Sequence, residues 1–192
     1  MRHFWLSSDN LAFLLEENCG IDILKNTFWF SVLCHLEIIA MSEKVAYVCG
    51  PLTDLPCEIQ GQTKTFYSKI ADVCGAVLSV RAFVPHEHFD PVRHSQFTAE
   101  QVDEAERRQV CKCTSVLIVV AIAPSWGGGI EVEMAHSSRV PAVILKPFGT
   151  KVSRLLLGNP AVVRTLCYES EPHALGLLEN FLHAMRAVRL TV

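Results

Sequence analysis

Nine residues in the second half of the chain carry the clearest chemistry: Ser125-Trp126-Gly127-Gly128-Gly129-Ile130-Glu131-Val132-Glu133. Three glycines after an apolar run remove side chains where a ligand must approach the backbone closely. A helix opening directly after them offers free amides to an anion, and the Ser125 hydroxyl adds another donor. Glu131 is expected in the first turn of that helix. There the macrodipole favours a carboxylate, which suits a nucleophile that must stay ionised near neutral pH. Glu133 lies two residues on and projects from a different face. The plain alternative is a strand-to-helix connection whose acidic residues merely favour a helix start.

A second group of polar residues lies in Pro85-His86-Glu87-His88-Phe89-Asp90. The His-x-His pair lacks the second half of a metal site, so no metal is expected. His86 and Asp90 are instead candidates for contacting a ligand or donating a proton. His94, His136, His173 and His183 have no partners in sequence and read as structural or surface residues. Trp126 either covers a ligand by stacking or shields the glycine turn.

The pattern Pro124-Ser125-x-Gly127-x-Gly129-x-Glu131-x-x-x-Ala135, following the run VLIVVAI, resembles the signature of the nucleoside 2-deoxyribosyltransferase superfamily. It looks closest to the 2'-deoxynucleoside 5'-monophosphate N-glycosidases. Cys49-Gly50-Pro51 is similar to that family's first substrate-contacting turn, and the likeness covers roughly residues 44 to 146. The resemblance implies that Glu131 attacks the anomeric carbon and that Ser125 helps hold a 5'-phosphate. It also implies that Gly127 and Gly129 let sugar and phosphate lie on the backbone. The reaction would be a two-step retaining displacement, needing neither metal nor other cofactor. The sugar passes to water in a hydrolase or to a second base in a transferase. One position departs from the family. An aspartate that positions sugar or base is expected on the preceding helix, and direct spacing from Glu131 puts Arg107 there. Asp103 lies one turn earlier and Glu106 is adjacent; either could serve if the helix is offset. A module that senses a nucleotide without turnover is a second reading. A glycosidase acting on NAD or on a cytokinin-type nucleotide is a third.

The elements that must position these residues follow from periodicity. Lys44–Cys49 reads as a buried strand, and a helix is expected over about 62–79 because Phe66, Ile70, Val73 and Val77 recur at helical spacing. Arg81–Val84 reads as a short strand and 85–97 as a loop. Thr98 and Gln101 form a capping-box signature for a helix carrying Val102, Ala105, Gln109, Val110 and Cys113 on one face. Val116–Ile122 is a continuous β-branched run, the mark of a strand buried on both sides. A helix over Ile130–Ser138, a strand at Pro141–Lys146, a short helical piece near 151–158, a strand at Val162–Tyr168 and a final amphipathic helix complete the chain. Strands alternating with helices predict an α/β fold: a doubly wound, flavodoxin- or Rossmann-like parallel sheet of about five strands in one domain. Ligands bind beyond the carboxyl ends of such strands. That places the turn at 50–52, the loop at 85–97 and the turn at 123–130 on one rim.

Composition sets the outer limits. With 192 residues, 50% hydrophobic and 19% charged, the chain can bury a substantial core. A net charge of -3 argues against a nucleic-acid polymer as partner; a small phosphorylated ligand remains compatible with it. The 8 cysteines show no C-x-x-C spacing and several lie in apolar stretches, as in a reduced cytoplasmic protein. A nucleotide or nucleoside substrate, a homodimer and no membrane attachment are expected. Thr27–Ala40 is apolar but interrupted by His35 and Glu37, and too short to span a bilayer comfortably. Met41-Ser42-Glu43-Lys44 reads as the natural start of a domain over 41–192, with 1–40 either an extension outside the fold or a helix packed on it.

Overall fold

The computed structural model describes residues 44–90 and 92–189. The expected domain start at Met41 and the segment 1–40 lie outside the described residues.

Four parallel strands form the sheet: β1 (Val45–Cys49), β2 (Thr114–Val120), β3 (Ala142–Pro147) and β4 (Val162–Tyr168), in the spatial order β1-β2-β3-β4. Each pairs in parallel with the next, so every connection is a crossover and helices must cover both faces. The helices are α1 (Cys57–Leu78), α2 (Pro85–Phe89), α3 (Ala99–Arg108), α4 (Trp126–Ser137), α5 (Arg154–Leu157) and α6 (Glu171–Arg189). A π-helical turn, Gln109–Cys113, joins α3 to β2.

The sheet has four strands where the sequence predicts five. Arg81–Val84 contributes only one parallel bridge, Tyr47 to Phe83. Two hydrogen bonds fix it, Val48 N to Phe83 O at 2.9 Å and Phe83 N to Ala46 O at 2.8 Å. The segment cannot lengthen because Ser79 ends α1 in a left-handed conformation (φ 70°) and Pro85 already starts α2. This edge piece lies on the far side of β1 from β2. The chain therefore leaves β1 in one direction and resumes at β2 in the other, which makes the gap above β1 and β2 a topological switch point.

Strand alternation sorts the core into two layers. Ala46 and Val48, with Val116, Ile118 and Val120, pack against Phe66, Ile70 and Cys74 of α1 and Leu178 and Leu182 of α6. Tyr47 and Cys49, with Leu117 and Val119, face Val132, Met134 and Ala135 of α4. Period-two geometry thus sends Tyr47 and Cys49 towards the helix that carries Glu131.

Two helix starts differ from the periodicity reading. α1 begins at Cys57 rather than near 62. α4 begins at Trp126 rather than Ile130, with Ser125 as N-cap accepting from Gly128 N at 3.1 Å. The glycines therefore lie inside the first turn instead of before it. Pro85–Phe89, expected as loop, is a short helix with proline at its first position. The capping box at Thr98 is present: Gln101 N donates to Thr98 Oγ1 at 3.3 Å and Thr98 N donates to Gln101 Oε1 at 3.0 Å. No helix among the described residues is long and apolar enough to cross a membrane.

Candidate active site

Glu131 is 6% exposed, a buried carboxylate beside the strand ends of the switch point. Tyr47, fully buried on β1, donates its hydroxyl to Glu131 Oε1 at 2.5 Å. The Tyr47 ring stacks on Phe83 at 5.4 Å between centroids, and Phe83 stacks on His88 at 4.5 Å, so the donor is held from behind. Because α4 starts at Trp126, Glu131 sits in its second turn, beyond the reach of the helix-start dipole. The expected dipole stabilisation is replaced by two opposed effects. Burial raises the pKa of Glu131, while hydrogen bonds from Tyr47 and then from the Cys49 thiol favour its ionised form. Burial, with the Glu131 charge adding to it, pushes both the Tyr47 hydroxyl and the Cys49 thiol far up, so both remain protonated donors.

A second carboxylate faces the same cavity. Burial, reinforced by the charges of Glu131 and then Asp103, pushes the pKa of Glu106 up to about 7. Sequence spacing pointed one residue away, to Arg107, for a physical reason. A π-helical turn holds one residue more than an α-turn, and the Gln109–Cys113 turn lies between α3 and β2. That extra residue rotates Glu106 towards Glu131 and Arg107 outward. Arg107 is exposed and pairs with Asp103, Nη2 to Oδ1 at 2.9 Å. Asp103 lines the cavity rim but is engaged by this exposed ion pair.

The cavity measures about 810 Å³ and is lined by Gly50, Pro51, His86, Asp90, Asp103, Ser125, Gly127 and Glu131 among the residues anticipated from sequence. Gly129 is not among the lining residues; it faces a neighbouring cavity on the other side of α4. At Gly50 a Cβ would come within 2.4 Å of the Tyr67 hydroxyl and 2.7 Å of the Val120 carbonyl, so only glycine fits. Tyr67 in turn donates to Pro51 O at 2.7 Å and fixes the first turn. At Gly127 a Cβ would meet no atom within 4 Å, so protein packing does not demand glycine there.

His86 and Asp90 do not share one role. Burial lowers the pKa of His86, keeping it neutral at the cavity wall. Asp90 is buried, ion-paired with Lys64, and accepts from Val92 N at 2.9 Å and Arg93 N at 3.1 Å. These contacts, Lys64 foremost, hold its pKa down to about 2, so it cannot donate a proton near neutral pH. Asp90 anchors the turn after α2 instead. Trp126, 88% exposed, shields nothing and stands at the rim of both cavities. Glu133 points to solvent, accepting from Asn159 Nδ2 at 2.9 Å. Among the described residues no group of three or more His, Cys, Asp or Glu is arranged to hold a metal ion.

No family model matches the chain, and no curated protein matches it in sequence. Solved structures do match its fold. The CMP N-glycosidase BcmB of Clostridium botulinum superposes with a TM-score of 0.52 at 14% identity, over 72% of this chain and 99% of that one. A conserved protein from Enterococcus faecalis V583 superposes with a TM-score of 0.47 at 14% identity, over 75% and 98%. At such identity the first likeness shows the fold alone, the parallel α/β architecture that the alternation of strands and helices predicts.

Proposed function

We propose that this chain cleaves the N-glycosidic bond of a nucleoside or deoxynucleoside 5'-monophosphate and releases the free base. One observation carries the reading. Two carboxylates with different surroundings, Glu131 and Glu106, face one ligand-sized cavity at the switch point of the sheet. The fold shared with a CMP N-glycosidase supports it.

The roles divide by environment. Burial raises the pKa of Glu131, and the hydrogen bonds from Tyr47 and Cys49 oppose that rise and favour the ionised form that a nucleophile needs. Glu106, with a pKa of about 7, keeps a proton near neutrality. In the first step a Glu131 oxygen bonds to the anomeric carbon as the carbon–nitrogen bond breaks. The electron pair leaves with the base, and Glu106 supplies the proton that neutralises it. In the second step Glu106, now ionised, takes a proton from water, which displaces Glu131 and restores both groups. Replacing that water by a second base gives base exchange. The Trp126 and Gly127 amides at the start of α4 have no intrahelical acceptor, and the Ser125 hydroxyl accepts from Gly128 N while its own proton stays available. These groups suit a 5'-phosphate, since backbone amides and a hydroxyl can hold one without a Lys or Arg, and none lines the cavity among the described residues.

The test is a panel of nucleoside 5'-monophosphates and parent nucleosides, assayed for free base with wild type and Glu131→Gln. Wild type should release base from at least one monophosphate, and Glu131→Gln should lose about three decades of rate, or about 4 kcal/mol of barrier. Equal release by both proteins would refute the assignment. Tight nucleotide binding without release by either would leave the sensing module as the better reading.

A further inference from the structure

The helix α2 has little of its own to hold it in place. It is five residues long, none of its side chains is buried, and no side chain caps its start. A helix that short is marginal without tertiary support. Much of its support is ionic and comes from α1 and the residues just after it. At the C-terminal end Asp90 pairs with Lys64 of α1. In the middle Arg81 grips Glu87: Nη1 donates to Oε2 at 2.7 Å and Nη2 to Oε1 at 2.8 Å. The same guanidinium donates from Nε to Asp72 Oδ1 at 2.7 Å and from Nη2 to Ser68 Oγ at 2.7 Å, both on α1. One planar group thus ties Glu87 to α1 by a bidentate contact inside a network, unlike an isolated surface ion pair.

The position of α2 reaches the nucleophile through a column of rings. His88, next to Glu87, stacks on Phe83 at 4.5 Å with the two planes 9° apart. Phe83 stacks on Tyr47 at 5.4 Å, and Tyr47 donates to Glu131. The middle ring is the weakly held one. Phe83 is half-buried and sits on the edge segment that makes a single bridge to β1. Arg81 and Glu87 lie on either side of it, six residues apart, so their bond closes the chain around Phe83. The clamp therefore fixes the edge segment at one end and α2 at the other.

We propose that Arg81 is a positioning residue for Glu131: by clamping Glu87 it holds His88 and Phe83 behind Tyr47, and so keeps the Tyr47 hydroxyl aimed at the nucleophile. This rests on the nucleotide-cleavage reading above and adds to that site a residue that acts from outside the cavity.

The experiment compares Arg81→Gln, Arg81→Lys, Glu87→Gln and the double variant Arg81→Gln/Glu87→Gln with wild type. Lys69→Gln is the control, because it breaks another exposed ion pair of α1, Lys69 Nζ to Glu171 Oε2 at 2.9 Å, which does not involve α2. Base release is followed on the nucleoside 5'-monophosphate that wild type cleaves fastest, and thermal melting and amide hydrogen exchange are measured without ligand. Arg81→Gln should lower kcat about threefold to tenfold, less than loss of the Tyr47 hydroxyl itself, with KM within about twofold. Its melting point should stay within about 3 °C of wild type, as should that of Lys69→Gln. Arg81→Lys should lose nearly as much activity, since an ammonium keeps the charge but cannot reproduce the planar fork. The double variant should lose no more than either single one, because both break the same contact. The amides of Phe83 and of 86–90 should exchange about tenfold faster in the Arg81 and Glu87 variants, with those of α1 unchanged. Lys69→Gln should show neither change. Full activity in Arg81→Lys, an equal kcat loss in Lys69→Gln, additive losses in the double variant, or faster exchange spread over the whole chain would each overturn the proposal. If wild type releases no base from any monophosphate, the cleavage reading fails and exchange alone decides the clamp: faster exchange confined to Phe83 and 86–90 upholds it, and unchanged exchange there overturns it.

Discussion

Two cavities flank the first turns of α4, and they are nearly the same size, about 810 and 720 Å³. Both touch Gly50, Ser125, Trp126 and Ile130. Each also receives one glutamate from the helix: Glu131 in the first, Glu133 in the second. There the likeness ends. Glu131 is buried, hydrogen-bonded by Tyr47 and opposed by Glu106. Glu133 is exposed and bonded to Asn159 and His136, in a lining that mixes Val119, Leu155 and Leu156 with Thr150, Lys151 and Ser153. Size and proximity therefore do not single out a site. What distinguishes the first cavity is charge held at a cost of burial, offset by donors placed to hold it.

The contrast can be sharpened from its strongest element downward. Glu131→Gln carries the largest expected loss, as described above. Glu106→Gln comes next, because it leaves the nucleophile but removes the proton that the leaving base needs; a loss of about two to four decades is expected. In wild type, base release should decline as pH rises through about 7, where Glu106 becomes ionised. Glu106 also makes a stability prediction, in which its substitution raises stability while lowering the rate. Its pKa rises from the ordinary 4.5 to about 7 on folding, so the folded protein holds the proton more tightly. Stability is then lost as pH rises from about 4.5 to about 7 and stays low above it. Glu106→Gln should therefore melt higher than wild type at pH 8, by about 1–2 kcal/mol after allowance for partial exposure, while being a far poorer catalyst. A variant with lower stability at pH 8 would contradict the charged, desolvated Glu106 described here.

Tyr47→Phe tests the donor that holds Glu131. The Tyr47 hydrogen bond lowers the pKa of Glu131, so removing it should shift the acidic limb of the pH–rate profile to higher pH. The rate should fall by about tenfold to a hundredfold, the worth of one hydrogen bond to a charged group. An unchanged acidic limb would show that Tyr47 merely packs. Ser125→Asp is smaller and more selective. Aspartate caps a helix as well as serine does, so α4 should keep its start. Its charge would repel a phosphate, weakening a nucleoside 5'-monophosphate about tenfold or more relative to the parent nucleoside. Equal affinity changes for both ligands would remove the phosphate from this position.

Much of this comparison is visible in the sequence, and the missing parts share a cause. The β-branched run Val116–Ile122 is a local pattern, and the buried strand over Thr114–Val120 and a helix carrying Glu131 after it follow from it, although Glu131 lies one turn deeper in that helix than its spacing from the glycines predicts. The capping box at Thr98 is equally local. Tyr47 is not, because its role depends on strand alternation and on pairing across 84 residues, which no spacing rule supplies. Glu106 is legible only as one of two alternatives to Arg107, because a π-turn between α3 and β2 shifts helical register by one residue and no sequence signal marks that turn. The glycines suggested a turn, yet Ser125 caps the helix ahead of them; capping geometry outweighs glycine's low helix propensity over one turn. Gly129, expected beside the ligand, instead faces the second cavity, because it lies inside α4 rather than in a turn ahead of it. Asp90 looked like an acid because its partner, Lys64, comes from a different helix.

The smallest predicted effect concerns Glu133, and it bears directly on the difference between the two cavities. Glu131→Gln and Glu133→Gln make the same chemical change two residues apart on one helix. If burial and hydrogen bonding define the site, the second change should leave base release within about twofold of wild type. Its stability cost should also be small, because the groups it touches are exposed and exposed ion pairs contribute about 0 to 1 kcal/mol. Asn159 can still donate to the amide oxygen of a glutamine at 133, so even the local contact persists. The measurement is base release and thermal melting of both variants in parallel on the same substrate. A large loss in Glu133→Gln with an unchanged melting point would mean that the second cavity takes part in the reaction. The distinction drawn from Glu131 and Glu106 would then fail, because an exposed carboxylate would have been shown to matter as much as a buried one.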